Sequence, residues 1–176
     1  EITLNDDMIS IFENFLHELE LTSNTDLNDF KEILLPYGFL KQKKTSNKNL
    51  KQKIKLLTIK DDNATYIIGK NSFQNSHLIN TLGLKSDYWF HVQNAPGSHV
   101  LVKTELLDEP VIRKAAMLAA YFSTLKNSSS IPVNYTSFKF VSKISGKPAS
   151  FVKIKNEKTI FIDIDEEKLK TYGLNA

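Results

Sequence analysis

The 176-residue chain contains no cysteine, which excludes disulfide bonds and thiolate metal sites and favours a reducing compartment. It also has no run of 18 apolar residues and no charged-then-apolar leader, so the sequence predicts neither a membrane span nor a secretion signal. A cytoplasmic location is therefore expected. The chain begins at Glu1 without an initiator methionine, and we expect it to be a fragment of a longer protein.

The sequence patterns of common hydrolytic and metal-dependent sites are missing as well. The histidines lack the i, i+4 spacing that brings two ligands together on a helix. No Gly-x-Ser-x-Gly elbow is present, and the adjacent residues Ser98 and His99 would point to opposite faces of a strand. Few carboxylates could form a nuclease-like cluster; the candidates are Asp87, Asp163 and Asp165. We predict a non-catalytic protein without a metal or a cofactor.

Negative charge is scarce after residue 32. Residues 1–32 hold nine acidic residues and one basic residue, Lys31. Subtracting these from the totals of 20 acidic and 23 basic residues leaves 11 acidic and 22 basic residues, a balance of +11, for residues 33–176. A field of this sign attracts polyanions such as nucleic acids.

The sequence divides into three predicted segments. Residues 1–40 carry apolar residues at helical spacing in two stretches, which predicts a short α-helical hairpin. The hairpin is either the end of a coiled-coil region or a two-helix cap packed on the domain. Residues 41–53 belong to a lysine run without acidic residues, which predicts a solvated linker or a basic arm that reaches for phosphates. Residues 54–172 form the predicted domain.

Periodicity within residues 54–172 predicts the fold class. Helical spacing is found at residues 72–83 and 109–126. Alternation and turn signals predict seven strands, the last two joined as a hairpin by a turn at residues 156–157. These strands are at residues 54–59, 65–68, 88–93, 99–103, 137–143, 151–155 and 159–164. This order predicts an α+β domain with a mainly antiparallel sheet and packed helices.

Residues 69–102 concentrate side-chain amides, three of the four histidines and the chain's only tryptophan. Trp89 and His91 are two residues apart and would share one face of a strand. Trp89 is then either an exposed stacking platform for a nucleobase or a core residue. The register across the turn at residues 96–97 is open, and it decides whether His99 shares a face with His91.

The turn from Gly69 to Asn71 precedes the first predicted helix. Asn71 or Ser72 is the expected N-cap. The turn is either a phosphate seat with outward-facing N–H groups or a simple cap.

A group of lysines lies near the end of the predicted domain. They form either a solvated strand edge or a ridge that follows phosphates. These residues are Lys143, Lys147, Lys153 and Lys155.

The order of motifs resembles the NFACT-R domain, the RNA-binding module of the NFACT family, which was once catalogued in bacteria as fibronectin-binding proteins. The resemblance covers roughly residues 52–170 and continues at residues 115–123, 133–136 and 146–148. This chain has Lys70 where the family usually has Arg, which keeps the charge and loses the bidentate fork. The matching residues are Gly69, Lys70, Asn71, Gln74, Asn75, Asp87, Trp89, Phe90, His91, Pro96, Gly97, Ser98, His99 and Val100.

The resemblance implies an RNA-binding module of a ribosome-associated quality control factor. Such a factor binds the large ribosomal subunit after a stalled ribosome splits and recruits charged tRNA for C-terminal tailing. The implied partners are tRNA, the large subunit and a larger N-terminal region of the same protein. The alternative is a surface adhesin that binds fibronectin or fibrinogen. The candidate RNA-binding residues are Lys70, Asn71, Gln74, Asn75, Trp89, His91, Ser98, His99, Lys143 and Lys147.

Overall fold

The computed structural model describes residues 9, 12, 13, 16, 17, 54–145, 147 and 150–174. The predicted linker at residues 41–53 lies outside the described residues, and so does most of the predicted hairpin at residues 1–40. The five described residues before residue 54 are all helical. No helix among the described residues has the length and apolar character needed to span a bilayer.

The elements from residue 54 onward alternate between strands and short helices. In chain order they are β1 (Leu57–Lys60), β2 (Ala64–Gly69), α1 (Ser72–His77), a π-helical turn (Leu78–Leu82), β3 (Tyr88–Val92), β4 (His99–Thr104), α2 (Glu109–Tyr121), β5 (Ile131–Ser137), a 3-10 turn (Phe138–Phe140), β6 (Ser142–Lys143), β7 (Val152–Lys153), β8 (Lys158–Ile162) and α3 (Glu166–Thr171).

Six of these strands form one sheet in the order β1-β2-β4-β3-β5-β8. Every neighbouring pair in it is antiparallel. β6 and β7 form a separate two-stranded sheet. The α+β class with a mainly antiparallel sheet is thereby confirmed.

One face of the large sheet packs against α2. The helix starts where the Asp108 carboxylate accepts the N–H of Val111, and Pro110 follows in the first turn, where proline's missing N–H costs nothing. Its buried side is rich in alanine, which lets the helix approach the sheet closely. Full burial of each large sheet residue on this face contributes about 1.5–3 kcal/mol. The fully buried sheet residues on this face include Tyr66, Ile68, Phe90, Val100 and Val102.

Strand β5 corrects the sequence-based assignment around residue 137. The predicted strand at residues 137–143 is wrong, because the chain forms a 3-10 turn there. The true strand is Ile131–Ser137, which contains Pro132 and Asn134, two residue types that are depleted in strands. Hydrogen bonding to β3 on one side and β8 on the other overrides this weak local preference.

The predicted hairpin between the last two strands is also wrong. β7 pairs with β6, whereas β8 pairs with β5. Between them, Asn156 adopts a left-handed φ of 52°, a conformation that asparagine tolerates better than most residues. The chain thus passes from the small sheet to the large one at this point.

Candidate nucleic-acid interface

The register between β3 and β4 places the predicted aromatic residues on one sheet face. Trp89 pairs with Leu101 and Phe90 with Val100, so the next pair in this register is His91 with His99. The two imidazole rings meet edge to face, with centroids 5.0 Å apart. Since Phe90 points into the core beneath α2, Trp89, His91 and His99 lie on the opposite face. The open question of register is resolved in favour of a shared face.

Trp89 is buried on this second face. Its side chain is 4% exposed, stacks on His91 at a centroid distance of 5.7 Å and meets His99 edge to face at 5.2 Å. The alternative that Trp89 is an exposed stacking platform is therefore wrong. Thr136, the β5 partner of Trp89, donates a 2.9 Å hydrogen bond to the Lys155 carbonyl. This bond ties the segment after β7 to the strand beside Trp89.

A cavity of about 500 Å³ lies over this face. Its floor is formed by Trp89, His91, His99 and Asn134. Its walls come from elements that are distant in sequence: the start of α1, the β3–β4 loop, the segment 150–154 and the N-terminal helical residues. Wall residues include Glu13, His17, Ser72, Asn75, Gln93, Gly97 and Phe151.

Both cavity histidines are uncharged near neutral pH. Burial lowers the pKa of His91, and its contacts with backbone carbonyls oppose this effect only in part. Burial, together with the neighbouring His91, holds the pKa of His99 well below its usual value. His91 Nδ1 lies 2.7 Å from the Val92 carbonyl and Nε2 lies 3.3 Å from the Gly97 carbonyl. A neutral imidazole donates only one of these bonds, and we assign the proton to Nδ1, which makes the shorter contact.

Two buried polar atoms of the floor have no hydrogen-bond partner among the described residues. They are Trp89 Nε1 and His99 Nδ1. Buried polar groups are normally satisfied, so these two atoms retain unused hydrogen-bonding capacity.

The turn at the start of α1 is closed by its own amides. Asn71 is the N-cap, as predicted, and its side chain accepts the N–H of Gln74 at 2.8 Å. The Gln74 side chain accepts the N–H of Lys70 at 3.0 Å, and Asn75 accepts the N–H of His99 at 3.1 Å. The phosphate-seat alternative requires N–H groups that face outward. The N–H groups of Lys70 and Gln74 are instead bonded within the turn, so this part of the alternative is wrong. Asn71, Gln74 and Asn75 are buried, and their predicted contact with RNA stays a prediction.

Ser98 lies at the edge of the cavity region and is not among its lining residues. It is fully buried, and its N–H donates to the Phe122 carbonyl at 3.0 Å. The same carbonyl contacts His17 Nε2 at 3.2 Å. This carbonyl thereby joins the end of α2, the start of β4 and the N-terminal helix.

The predicted lysines are exposed but do not form one ridge. Lys143 pairs with Val152, and Ser142 pairs with Lys153. Cross-strand partners share a face and neighbours along a strand do not, so Lys143 and Lys153 lie on opposite faces of the small sheet. Lys143 donates to the Asn80 side chain at 2.9 Å.

Lys147 is exposed and holds its ammonium 5.9 Å from the centroid of Phe151. Lys70 is half-buried beside the cap of α1. Neither Lys70 nor Lys147 lines the cavity, but each is close in sequence to residues that do.

Acidic residues are distributed unevenly around the sheet. Residues 63–86, 88–104 and 110–156 contain none, and Glu13 is the one carboxylate among the described residues that line the cavity. Acidic side chains cluster at the other end of β2 and β4, where Ala64 pairs with Thr104, while Gly69 pairs with His99 at the cavity end. That acidic cluster comprises Asp61, Asp62, Glu105 and Asp108. Among the described residues, acidic side chains are therefore sparser at the cavity end.

Residues 54–164 match the model of the NFACT protein RNA binding domain. The chain belongs to this family. It is 34% identical over 170 residues to "Rqc2 homolog RqcH" of Bacillus subtilis (strain 168), which covers 95% of this chain and 30% of that protein. The protein of the same name from Streptococcus suis (strain 05ZYH33) is 32% identical over 151 residues, 85% of this chain and 27% of that protein. The chain thus spans less than a third of these relatives.

A solved structure has the same fold. It is the C-terminal part of the fibronectin/fibrinogen-binding protein from Streptococcus suis, with a TM-score of 0.84 and 28% sequence identity. The match covers 97% of this chain and 70% of that one.

Sequence reasoning missed several cavity residues of this NFACT domain. Asn134 was overlooked as a site residue because β5 was not recognised as a strand. Glu13, His17 and the segment 150–154 carry no local signal, since only the fold brings them to the cavity. Within the described part of the chain, no three His, Asp or Glu side chains converge on a position that could hold a metal.

Proposed function

We propose that this NFACT RNA-binding domain binds tRNA or the RNA of the large ribosomal subunit, as part of a cytoplasmic ribosome-associated quality control factor. The domain contributes RNA contacts and no chemistry. The whole protein would bind the stalled large subunit and recruit charged tRNA for C-terminal tailing, with a further N-terminal region as partner of the domain. The observation that carries this proposal is the family match over residues 54–164.

The charge distribution supports an RNA ligand. Lys143, Lys147, Lys153 and Lys155 are exposed, and the stretch 110–156 that contains them has no acidic residue. Such cations bind phosphates without reading sequence. Asn71, Gln74 and Asn75 would then hold the turn that carries Lys70 in place.

The ribosomal role is supported by the similarity to the two RqcH proteins, which extends over 95% and 85% of this chain. That similarity includes the region before residue 54. A match of 170 residues in a chain of 176 is too long to be contained in residues 54–176.

Sedimentation of the full-length protein tests the proposal. After translation is stalled, we expect the protein to sediment with free large subunits in a density gradient. A variant without residues 54–172 is the control and should shift toward the top. Equal sedimentation of both proteins would show that the domain is dispensable for ribosome binding. A gel-shift assay of the 176-residue chain with tRNA tests RNA binding directly.

The structural likeness to a fibronectin/fibrinogen-binding protein favours a second candidate function, a surface adhesin. A basic surface attracts many acidic proteins without specificity. A true adhesin would bind fibronectin more strongly than it binds other acidic proteins. Binding to immobilised fibronectin should be compared with binding to an acidic protein of matched charge. Saturable binding to fibronectin alone, retained at physiological salt, would favour the adhesin. Equal binding to fibronectin and to the control protein would show that the binding is caused by charge alone.

A further inference from the structure

The cavity over β3, β4 and β5 has a neutral floor of aromatic rings with unused polar atoms. Trp89 is 4% exposed and His99 is 3% exposed, yet Trp89 Nε1 and His99 Nδ1 have no partner among the described residues. An unpaired buried polar group lowers stability. A ligand that supplies an acceptor to the indole N–H and a partner to the imidazole would remove this penalty.

The lining residues favour an uncharged ligand group over a phosphate. No lysine or arginine is among the described residues that line the cavity, and Glu13 contributes a carboxylate. Both floor histidines are neutral because burial disfavours their protonation. Among the described lining residues, a phosphate would meet the Glu13 carboxylate and no lysine or arginine, whereas exposed lysines lie outside the cavity.

The cavity has the size and hydrogen-bonding groups for a planar heterocycle. Its volume of about 500 Å³ lies within the range of roughly 300–1,000 Å³ found for small-molecule sites. Asn134 uses its Oδ1 to accept from Thr159 at 2.7 Å, which leaves its NH₂ group as a donor at the floor. Trp89, His99 and Asn134 together offer the mixture of donors and acceptors that base edges require.

We propose that this cavity receives one unpaired nucleobase of the bound RNA, while lysines outside it contact the flanking phosphates. This inference rests on the proposed RNA binding and deepens it. The domain would then recognise an unpaired base of single-stranded RNA and not only the charge of the phosphates.

Fluorescence tests the proposal directly, because Trp89 is the only tryptophan of the chain and lies in the cavity floor. The 176-residue chain is titrated with a single-stranded RNA of about twelve nucleotides and with an abasic ribose-phosphate strand of the same length. Binding is measured by anisotropy of a label on each strand, and cavity occupancy by Trp89 emission.

We expect the base-containing strand to change Trp89 emission saturably and to bind at least about fivefold more tightly than the abasic strand. Equal affinity of the two strands, with unchanged emission at saturation, would overturn the nucleobase inference and leave RNA binding intact. Failure of both strands to bind at low salt would overturn the proposed RNA binding itself. The two failures are thus distinguishable.

Two aromatic variants complete the test. Trp89→Phe removes the indole N–H and keeps a ring, and should lower affinity for the base-containing strand about fivefold without changing affinity for the abasic strand. Tyr88→Phe removes one polar group from the neighbouring residue, which lies on the other sheet face, and should change neither affinity. Wild-type affinity of a folded Trp89→Phe protein for both strands would also count against the inference.

Discussion

His91 and His99 face each other across β3 and β4, with ring centroids 5.0 Å apart and ring planes at 89°. This pair joins two motifs that are separated by the β3–β4 loop and places both in one cavity floor. Because the cavity walls bury the rings, the pKa of each lies below the ordinary value of 6.5. Protonation of either ring therefore works against folding.

Stability should fall as the solution becomes acidic. Below pH 6.5 the unfolded chain binds a proton at His99 that the folded chain does not bind, so the free energy of unfolding decreases as pH drops. Between about pH 7.5 and 5.5, one such histidine accounts for a loss on the order of 1 kcal/mol. Urea denaturation across this range measures the effect.

The variant His99→Asn isolates this contribution. It lowers stability at every pH by removing ring contacts, so the slope against pH is compared, not the absolute value. We expect a shallower slope than in the wild type. Parallel curves for the two proteins would show that His99 is not the group responsible.

RNA affinity should depend steeply on salt. If the balance of +11 over residues 33–176 acts through phosphates, affinity should fall roughly tenfold or more between about 50 and 200 mM salt. Gel-shift or anisotropy titrations at several salt concentrations give the slope. Constant affinity over this range would rule out the electrostatic account.

The same titration distinguishes the two alternatives for residues 41–53. Replacing the six lysines of this segment by glutamine should reduce the salt slope if the segment is a basic arm, because each lost phosphate contact removes about 0.9 from the slope for a duplex. An unchanged slope would identify the segment as a linker.

Charge reversal at Lys70 tests the cavity end of the sheet. Lys70→Glu places a carboxylate beside the cap of α1, where it would repel a phosphate, and should weaken RNA binding severalfold. Thermal stability should change by less than about 0.5 kcal/mol, since the contact that Lys70 makes with Gln74 uses its backbone N–H.

Lys60→Glu is the matched control for this change. Lys60 is exposed at the opposite end of the β1–β2 hairpin, beside Asp61 and Asp62. We expect its reversal to leave RNA affinity close to that of the wild type. Equal losses in the two variants would show that total charge, and not the position of Lys70, decides binding.

A side chain at Gly69 should destabilise the fold, because an added Cβ would clash with neighbouring atoms. Its φ is not in the left-handed region, which Gly173 alone among the described glycines occupies. A Cβ at Gly69 would instead lie 2.5 Å from Asn75 Oδ1 and 2.9 Å from the Asn75 backbone nitrogen. Gly69→Ala should therefore lower the free energy of unfolding by about 1–3 kcal/mol, as measured by urea denaturation.

Gly173→Ala provides the comparison. Its φ of 79° is strained for alanine, while no atom lies within 4 Å of the added Cβ. The cost there should be about 1–2 kcal/mol from backbone strain alone, with no effect on the cavity. Wild-type stability of Gly69→Ala would indicate that α1 can move away from the strand.

Much of the local structure could be predicted from the sequence, because it depends on near neighbours. The Asn71 cap, the turn at Asp61 and the helix from Glu109 follow from hydrogen bonds within a few residues and from periodicity. The ordered motifs between Gly69 and Val100 also identified the family. Strand β5 escaped recognition, since its stability comes from partners on both sides and not from its own composition.

The cavity itself was decided by the tertiary structure. Alternation along β3 determines that Trp89 and His91 share a face, but the pairing with β4 determines that His99 joins them. Whether Trp89 is a platform or a buried floor depends on the distant elements that surround it, among them the segment 150–154, which is more than 60 residues away in sequence. Burial, and with it the lowered pKa of both histidines, is a property of all the elements around a residue. Local sequence determines which side chains are present, whereas long-range packing determines what covers them.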